Sequence, residues 1–147
     1  MNVLTELEKL IERVARIEAR RATQALRPEF GLILGVEYMV PSVSLGGVGS
    51  MSISGGVAPR MMQKLYELCA AGCFFEAMPL QDKASHYRQI FKPEYPSPIK
   101  AAMEMMGRPV GPVRGPMRDL TKEQLASLRT ALEGIGVFDG SEPTGSS

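Results

Sequence analysis
The chain has 147 residues, 44% hydrophobic and 22% charged, proportions ordinary for one soluble globular domain. Its formal net charge of +1 gives no electrostatic reason for a nucleic-acid or anionic-membrane partner. The opening MNVLTELEKL carries charges where a signal peptide needs an apolar core, and no apolar run approaches a membrane span, so the expected compartment is the cytoplasm. Residues 3–25 set Leu4, Leu7, Ile11, Val14 and Ile17 at helical spacing, with Leu10 widening the stripe. Glu6, Glu8 and Glu12 near the start and Arg16, Arg20 and Arg21 near the end complement the helix dipole. Asn2, or Thr5 with Glu8, caps this helix, and its heptad-like spacing also admits a coiled coil, although about two heptads make a short one.

Pro28 closes that segment, and two short apolar runs follow, Phe30–Leu34 and Ser50–Ser54. Five residues between glycine and proline punctuation are too few for a helix. The first run is nearly unbroken and suits a strand covered on both faces. The second alternates, which sends Met51 and Ile53 one way and the serines the other. Between them, Glu37–Gly46 has Met39, Val40 and Val43 near helical spacing with Pro41 in the first turn. The strands are therefore expected to be parallel, joined by a right-handed crossover.

Val57–Ala71 is the next expected helix, opened by Pro59 and stopped by Gly72. Another runs from Phe74 or Phe75 to about Phe91, with Pro79 near its start. Pro93, Pro96 and Pro98 form a connector into a helix over Ile99–Met106, which stops at Gly107. Gly107–Leu120 has too many prolines and glycines for a regular helix and is expected to wrap the surface as an extended segment. Thr121 and Gln124 make a capping box for a last helix with Leu125, Leu128 and Leu132 on one face, ending at Gly134 or Gly136.

Little in the sequence carries chemistry. Cys69 and Cys73 sit four apart, where a helix would place them on one side and poorly for a disulfide, with no third ligand for zinc, and are read as reduced packing residues. GGVGSMS precedes a strand instead of leading from one into a helix, so it reads as a tight turn, not a dinucleotide loop. His86 is the single histidine and has no partner, so a helix-surface position is expected. Nothing in the sequence pairs with Ser52 or Ser54 to activate a nucleophile. The six lysines, Lys9, Lys64, Lys83, Lys92, Lys100 and Lys122, all fall off the strands, where an amine stays protonated. Arg108, Arg114 and Arg118 lack aromatic interleaving and read as a solvated loop or carboxylate partners. No metal site is expected.

Three segments, GVEYMVPSVSLGGVGSMSISGGVAPRMMQKLYELCAAGCFFEAMPLQ, YPSPIKAAMEMMG and RGPMRDLTKEQLASLRTALEGIG, resemble in order the last part of the dihydrodipicolinate synthase and N-acetylneuraminate lyase family. Gly35 and Glu37 stand at the glycine-plus-acid pair that opens the family's seventh barrel helix, and Gly55 to Pro59 at its ANVAP-like turn. Tyr95 to Lys100 stand at its NPxPxK segment. The resemblance covers roughly residues 30 to 137 and implies an α/β fold, mostly helical by content: the last two strands of a (β/α)8 TIM barrel with their helices, plus a C-terminal helical appendage. It implies a partial barrel over 1–73 (helix, strand, helix, strand, helix) and a helical region over 74–138, and the polar composition of 139–147 predicts a disordered tail.

Members of that family are lyases that hold pyruvate or another 2-oxo acid as a Schiff base on a lysine of the sixth strand, aided by a tyrosine of the fifth. The resemblance implies a chain truncated before the lysine strand, with no catalytic residue and no cofactor of its own. It matches Gly35 and Met51 to positions flanking the bound 2-oxo acid, a substrate only in a full-length context. For Met51, barrel packing explains the residue equally well. The expected function is that of a truncated 2-oxo-acid aldolase or lyase, not catalytic alone. A homo-oligomer or a complementing N-terminal half would supply the missing strands. The alternatives are a non-catalytic helical interaction module, docking through Leu4–Ile17 and the C-terminal helices, or half of a split lyase.

Overall fold
The computed structural model describes residue 18, residues 31–35 and residues 37–142. The helix expected over 3–25 lies outside these residues apart from Glu18, as do Phe30 and the tail positions 143–147. The described elements in chain order are β1 (Ile33–Gly35), α1 (Met39–Ser44), β2 (Gly49–Met51), a 3₁₀ turn (Ser54–Gly56), α2 (Pro59–Ala70), α3 (Phe74–Phe91), α4 (Ser97–Met105) and α5 (Lys122–Gly134).

The strands are parallel neighbours, as their composition predicts, with Ile33 opposite Gly49, Leu34 opposite Ser50 and Gly35 opposite Met51. Their bounds differ from the expected Phe30–Leu34 and Ser50–Ser54. The second ladder ends at Met51 because Ile53 has helical backbone angles (φ −71°, ψ −39°) and leads into the 3₁₀ turn. Met51 and Ile53 therefore do not share a strand face: Met51 is 68% exposed, whereas Ile53 packs against the core. The expectation of a first strand covered on both faces also fails among the described residues. Leu34 is buried beneath the helices, but Ile33 is 59% exposed, because nothing described covers the opposite face.

The crossover is tight. Gly47 donates to the Ser42 carbonyl, and the Ser42 hydroxyl donates to Gly49 O at 2.6 Å. A Cβ at Gly47 would fall 2.5 Å from Ser42 Oγ and 3.0 Å from Leu32 O, so the backbone approach itself demands glycine. This is the packing reason for GGVGSMS.

α2 ends where Gly72 adopts φ +77°: Cys73 N bonds to Leu68 O and Gly72 N to Cys69 O, a Schellman closure. The closure separates the cysteines. Cys69 is a buried residue of α2, while Cys73 caps α3 at its start, so the helix stop expected at Gly72 divides the pair. Both thiols are free, and burial pushes that of Cys69 up. α3 continues past Pro79, which lies in its second turn and forgoes the hydrogen bond to Phe75 O. α4 and α5 close as α2 does, on Gly107 and Gly136. The Thr121–Gln124 capping box opens α5 with both reciprocal bonds made.

Two buried clusters hold these elements. One joins Val57 and Ala58 to Tyr87, Phe91, Ala102, Met106, Leu128, Leu132 and Val137. The other packs Met39 of α1 against Met62, Leu65 and Cys69 of α2 and Ala77 and Ala84 of α3. Each fully buried large side chain here, such as Leu65, Phe91 or Leu132, contributes about 1.5–3 kcal/mol relative to exposure. The segment after Gly107 is extended as expected, and Lys100 explains why it stays down. Its ammonium donates to the carbonyls of Val110, Gly111 and Pro112 at 3.2, 3.2 and 3.0 Å.

Residues 139–142 of the expected tail are among the described residues. Glu142 is 6% exposed, and its carboxylate accepts from the backbone N–H groups of Arg60 and Met61 at 2.9 Å each. A polar segment that can satisfy an uncapped helix start has a reason to be ordered.

Candidate functional site
Parallel β/α units present ligands at the carboxyl ends of their strands, and here those ends hold Gly35 and Met51. The register makes the two residues direct cross-strand partners, so the structure brings both predicted site positions together. Alternation puts Ile33, Gly35, Gly49 and Met51 on one face and Leu34 and Ser50 on the other. The first face is open. A Cβ at Gly35 would meet nothing within 4 Å.

Immediately beyond these ends lies a polar clamp that the sequence did not reveal. Glu37 has φ +51°, is 1% exposed, and turns its carboxylate toward the segment after β2. Its Oε1 accepts from Ser52 Oγ (3.0 Å), Ser54 N (2.8 Å) and Ser54 Oγ (2.9 Å). The two serines expected to lack a partner thus share one, a carboxylate from the other strand's loop. Glu37 Oε2 is buried and accepts no hydrogen bond.

The backbone of the same loop is held from below. Gln81 of α3 donates through Nε2 to Glu37 O and accepts through Oε1 from Val40 N at 3.0 Å. That second bond satisfies an otherwise orphaned N–H in the first turn of α1. Gln81 sits between Ala77 and Ala84 on the buried face of α3, and that polar interruption of a small-residue stripe is the signal that could have found it. The Arg88 guanidinium lies 5.7 Å from the Tyr38 ring centroid, beside this loop.

The other chemistry-bearing residues are elsewhere. His86 is exposed on α3. Lys64, Lys83, Lys92, Lys100 and Lys122 lie on helices or a helix cap, and Lys9 lies outside the described residues. Arg108 donates to Val57 O at 3.3 Å, whereas Arg114 and Arg118 stand exposed on the extended segment. Among the described residues no group of three His, Cys, Asp or Glu could hold a metal ion, and no helix is long and apolar enough to cross a membrane. A groove of about 310 Å³ between α3, α4 and α5, lined by Ile90, Pro98 and Leu128, is remote in sequence from both strands.

A parallel strand–helix–strand–helix order with a clamp at the strand ends defines a β/α unit. The Dihydrodipicolinate synthetase family model matches residues 8–135, and the chain belongs to that family. It is 32% identical over 118 residues to a 4-hydroxy-tetrahydrodipicolinate synthase of Methanopyrus kandleri, covering 75% of this chain and 37% of that protein. It is 35% identical over 98 residues to the Clostridium novyi enzyme of the same name, covering 66% and 33% respectively. Among solved structures, a prophage protein of the dihydrodipicolinic acid synthase family from E. coli K12, in complex with pyruvate, superposes with TM-score 0.70 and 26% identity. That match covers 78% of this chain and 40% of the other. The Cyanidioschyzon merolae dihydrodipicolinate synthase with lysine bound gives TM-score 0.67 and 30% identity over 76% and 38%. The chain thus spans little more than a third of the length of its curated relatives.

Proposed function
We propose that β1 and β2 are the last two strands of a (β/α)8 barrel and that Gly35 and Met51 form the wall against which a 2-oxo acid binds once the barrel is completed. We propose further that the 147-residue chain does not itself catalyse. The observation that carries the reading is the Gly35–Met51 pair, set on an uncovered strand face at the ligand end of a β/α unit. Pyruvate bound in the related E. coli prophage protein supports the substrate class. The engagement of Lys100 with three carbonyls, and the absence of any described lysine from β1 and β2, support the lack of Schiff-base chemistry.

Borohydride reduction of the purified chain with pyruvate, followed by mass spectrometry, tests the second claim: no adduct is expected, and a reduced lysine adduct overturns it. The wall is tested in a chimaera in which residues 31–138 replace the matching segment of the full-length Methanopyrus kandleri relative. There Met51→Glu is expected to raise KM for pyruvate at least tenfold, by placing a carboxylate against an anionic substrate. An unchanged KM removes Met51 from the wall.

A second reading, an interaction module, draws support from Phe75, 89% exposed on α3 with Met78 one turn on. Size-exclusion with light scattering tests this second reading: self-association is expected, and a cooperatively melting monomer counts against any need for a partner.

A further inference from the structure
We infer that residues 139–142 form a latch that closes on the first turn of α2 and is coupled, through the turn between Ser52 and Ala58, to the Glu37 clamp. The start of α2 lacks the means to satisfy itself. Its N-cap is Ala58, which has no side-chain oxygen, and Pro59 at the first helical position has no N–H. The first intrahelical bond runs from Met62 N to Ala58 O, which leaves the N–H groups of Arg60 and Met61. Those are the two that Glu142 takes, one on each carboxylate oxygen at 2.9 Å. A residue more than eighty positions away thus performs the office of an N-cap, with a full charge at the positive end of the helix.

The latch is small and detachable. Asp139, Gly140 and Ser141 are exposed, and the strap is shaped by Ser141 N bonding to Asp139 Oδ1 at 2.9 Å. Apart from the Glu142 carboxylate, it touches α2 through Arg60 Nη1 on Ser141 O at 3.4 Å. Upstream it is anchored by Val137, 2% exposed in the core, and by Phe138 beneath the Arg129 guanidinium.

The coupling runs through a continuous set of bonds. Glu37 Oε1 holds Ser54 N, and Ser54 O accepts from Val57 N and Ala58 N at 3.0 and 2.8 Å. Ala58 then opens the helix that Glu142 caps. Two carboxylates, Glu37 and Glu142, therefore hold opposite ends of one short turn. Whatever takes up the latch loosens the clamp, and by linkage a ligand that tightens the clamp holds the latch closed. The latch is independent of the 2-oxo-acid reading, since no substrate enters its test.

The test is residue-resolved amide exchange on the whole chain and on Glu142→Ala. Arg60 and Met61 are expected to exchange about tenfold faster in the variant, the factor for losing a charged cap. Ser54 should follow by a smaller factor, and Leu128 and Leu132 in α5 should not change. Glu142→Gln, which keeps one acceptor oxygen, should give a smaller rise at the same two amides. The variant also carries a second readout. Burial first, then the charges of Glu142 and Asp139, push the Tyr87 hydroxyl up to about 12, so its alkaline transition should move down in Glu142→Gln. Unchanged exchange at Arg60 and Met61 overturns the latch. A rise shared equally with α5 also overturns it, because that is global destabilisation. A rise that stops short of Ser54 overturns the coupling.

Discussion

Replacing Glu37 by alanine removes one acceptor and strands three donors at once. Of these, the backbone N–H and hydroxyl of Ser54 are buried, while Ser52 is half-buried and can turn to water. A buried donor left without a partner costs about 1–3 kcal/mol, so two such donors put the loss at about 2–6 kcal/mol. That is a large share of the roughly 5–15 kcal/mol that holds a domain together. Two companion variants separate the causes. Glu37→Gln keeps an oxygen at the same place but halves the strength of bonds that were charge-assisted, and should lose about 1–2 kcal/mol. Glu37→Gly loses the carboxylate as alanine does, yet relieves the left-handed backbone at φ +51°, and should lie about 1 kcal/mol above Glu37→Ala. Urea unfolding followed by far-ultraviolet circular dichroism reads all three, with the urea dependence unchanged if only the folded state is affected. A Glu37→Ala loss below about 1 kcal/mol would refute the clamp as a structural element.

The remaining predictions concern the frame around that clamp. Gln81→Leu removes both arms that hold the β1–α1 loop and should cost about 2–3 kcal/mol in the same assay, whereas a neutral change would mean water replaces it. Gly35→Ala should leave stability within about 0.5 kcal/mol because its Cβ enters open space, while Gly47→Ala should fail to fold or lose more than about 3 kcal/mol against the Ser42 and Leu32 oxygens. Spectrophotometric titration should show one of the four tyrosines ionising last, near pH 12, and Tyr87→Phe should delete that phase. The sign follows from a folded-state value raised above the ordinary one. The stability tied to protonated Tyr87 is complete below about pH 10 and lost as pH rises through about 12. Lys100→Met should free the carbonyls of Val110, Gly111 and Pro112 and speed proteolysis within residues 107–120, with cleavage elsewhere unchanged.

What the sequence made legible was local. Periodicity and punctuation located α2 to α5 to within about two residues, because proline at helix starts and glycine after helix ends act on the backbone where they stand. The parallel strand pair was legible for the same reason, and Gly35 and Met51 came out as register partners. The strand ends were not, since the turn after Met51 is fixed by Glu37 reaching across from another loop. Alternation in Ser-Met-Ser-Ile-Ser imitates a longer strand. Glu37 was visible as half of a glycine-plus-acid pair, but its bond to Ser52 and Ser54 depends on tertiary placement. Gln81 and Glu142 act across more than forty and eighty positions, and no window of local pattern reaches that far.

These long-range contacts share a physical logic. A β/α unit buries its apolar faces by pattern alone, but at the strand ends the backbone leaves the ladder and its N–H groups need other acceptors. Here Glu37, Gln81 and Glu142 supply them, each from an element remote in sequence, so the ligand end of the sheet is held by polar side chains over an apolar foundation. Apolar packing of Val57 and Ala58 fixes where the turn sits, while the carboxylates fix how it points. A directional hold is what the proposed substrate wall would require, because a hydrogen bond has a preferred angle and an apolar contact has none. It also makes this end of the molecule more open to alteration than the core: one substitution at Glu37 or Glu142 removes acceptors from the turn, whereas a core tolerates volume-conserving exchange.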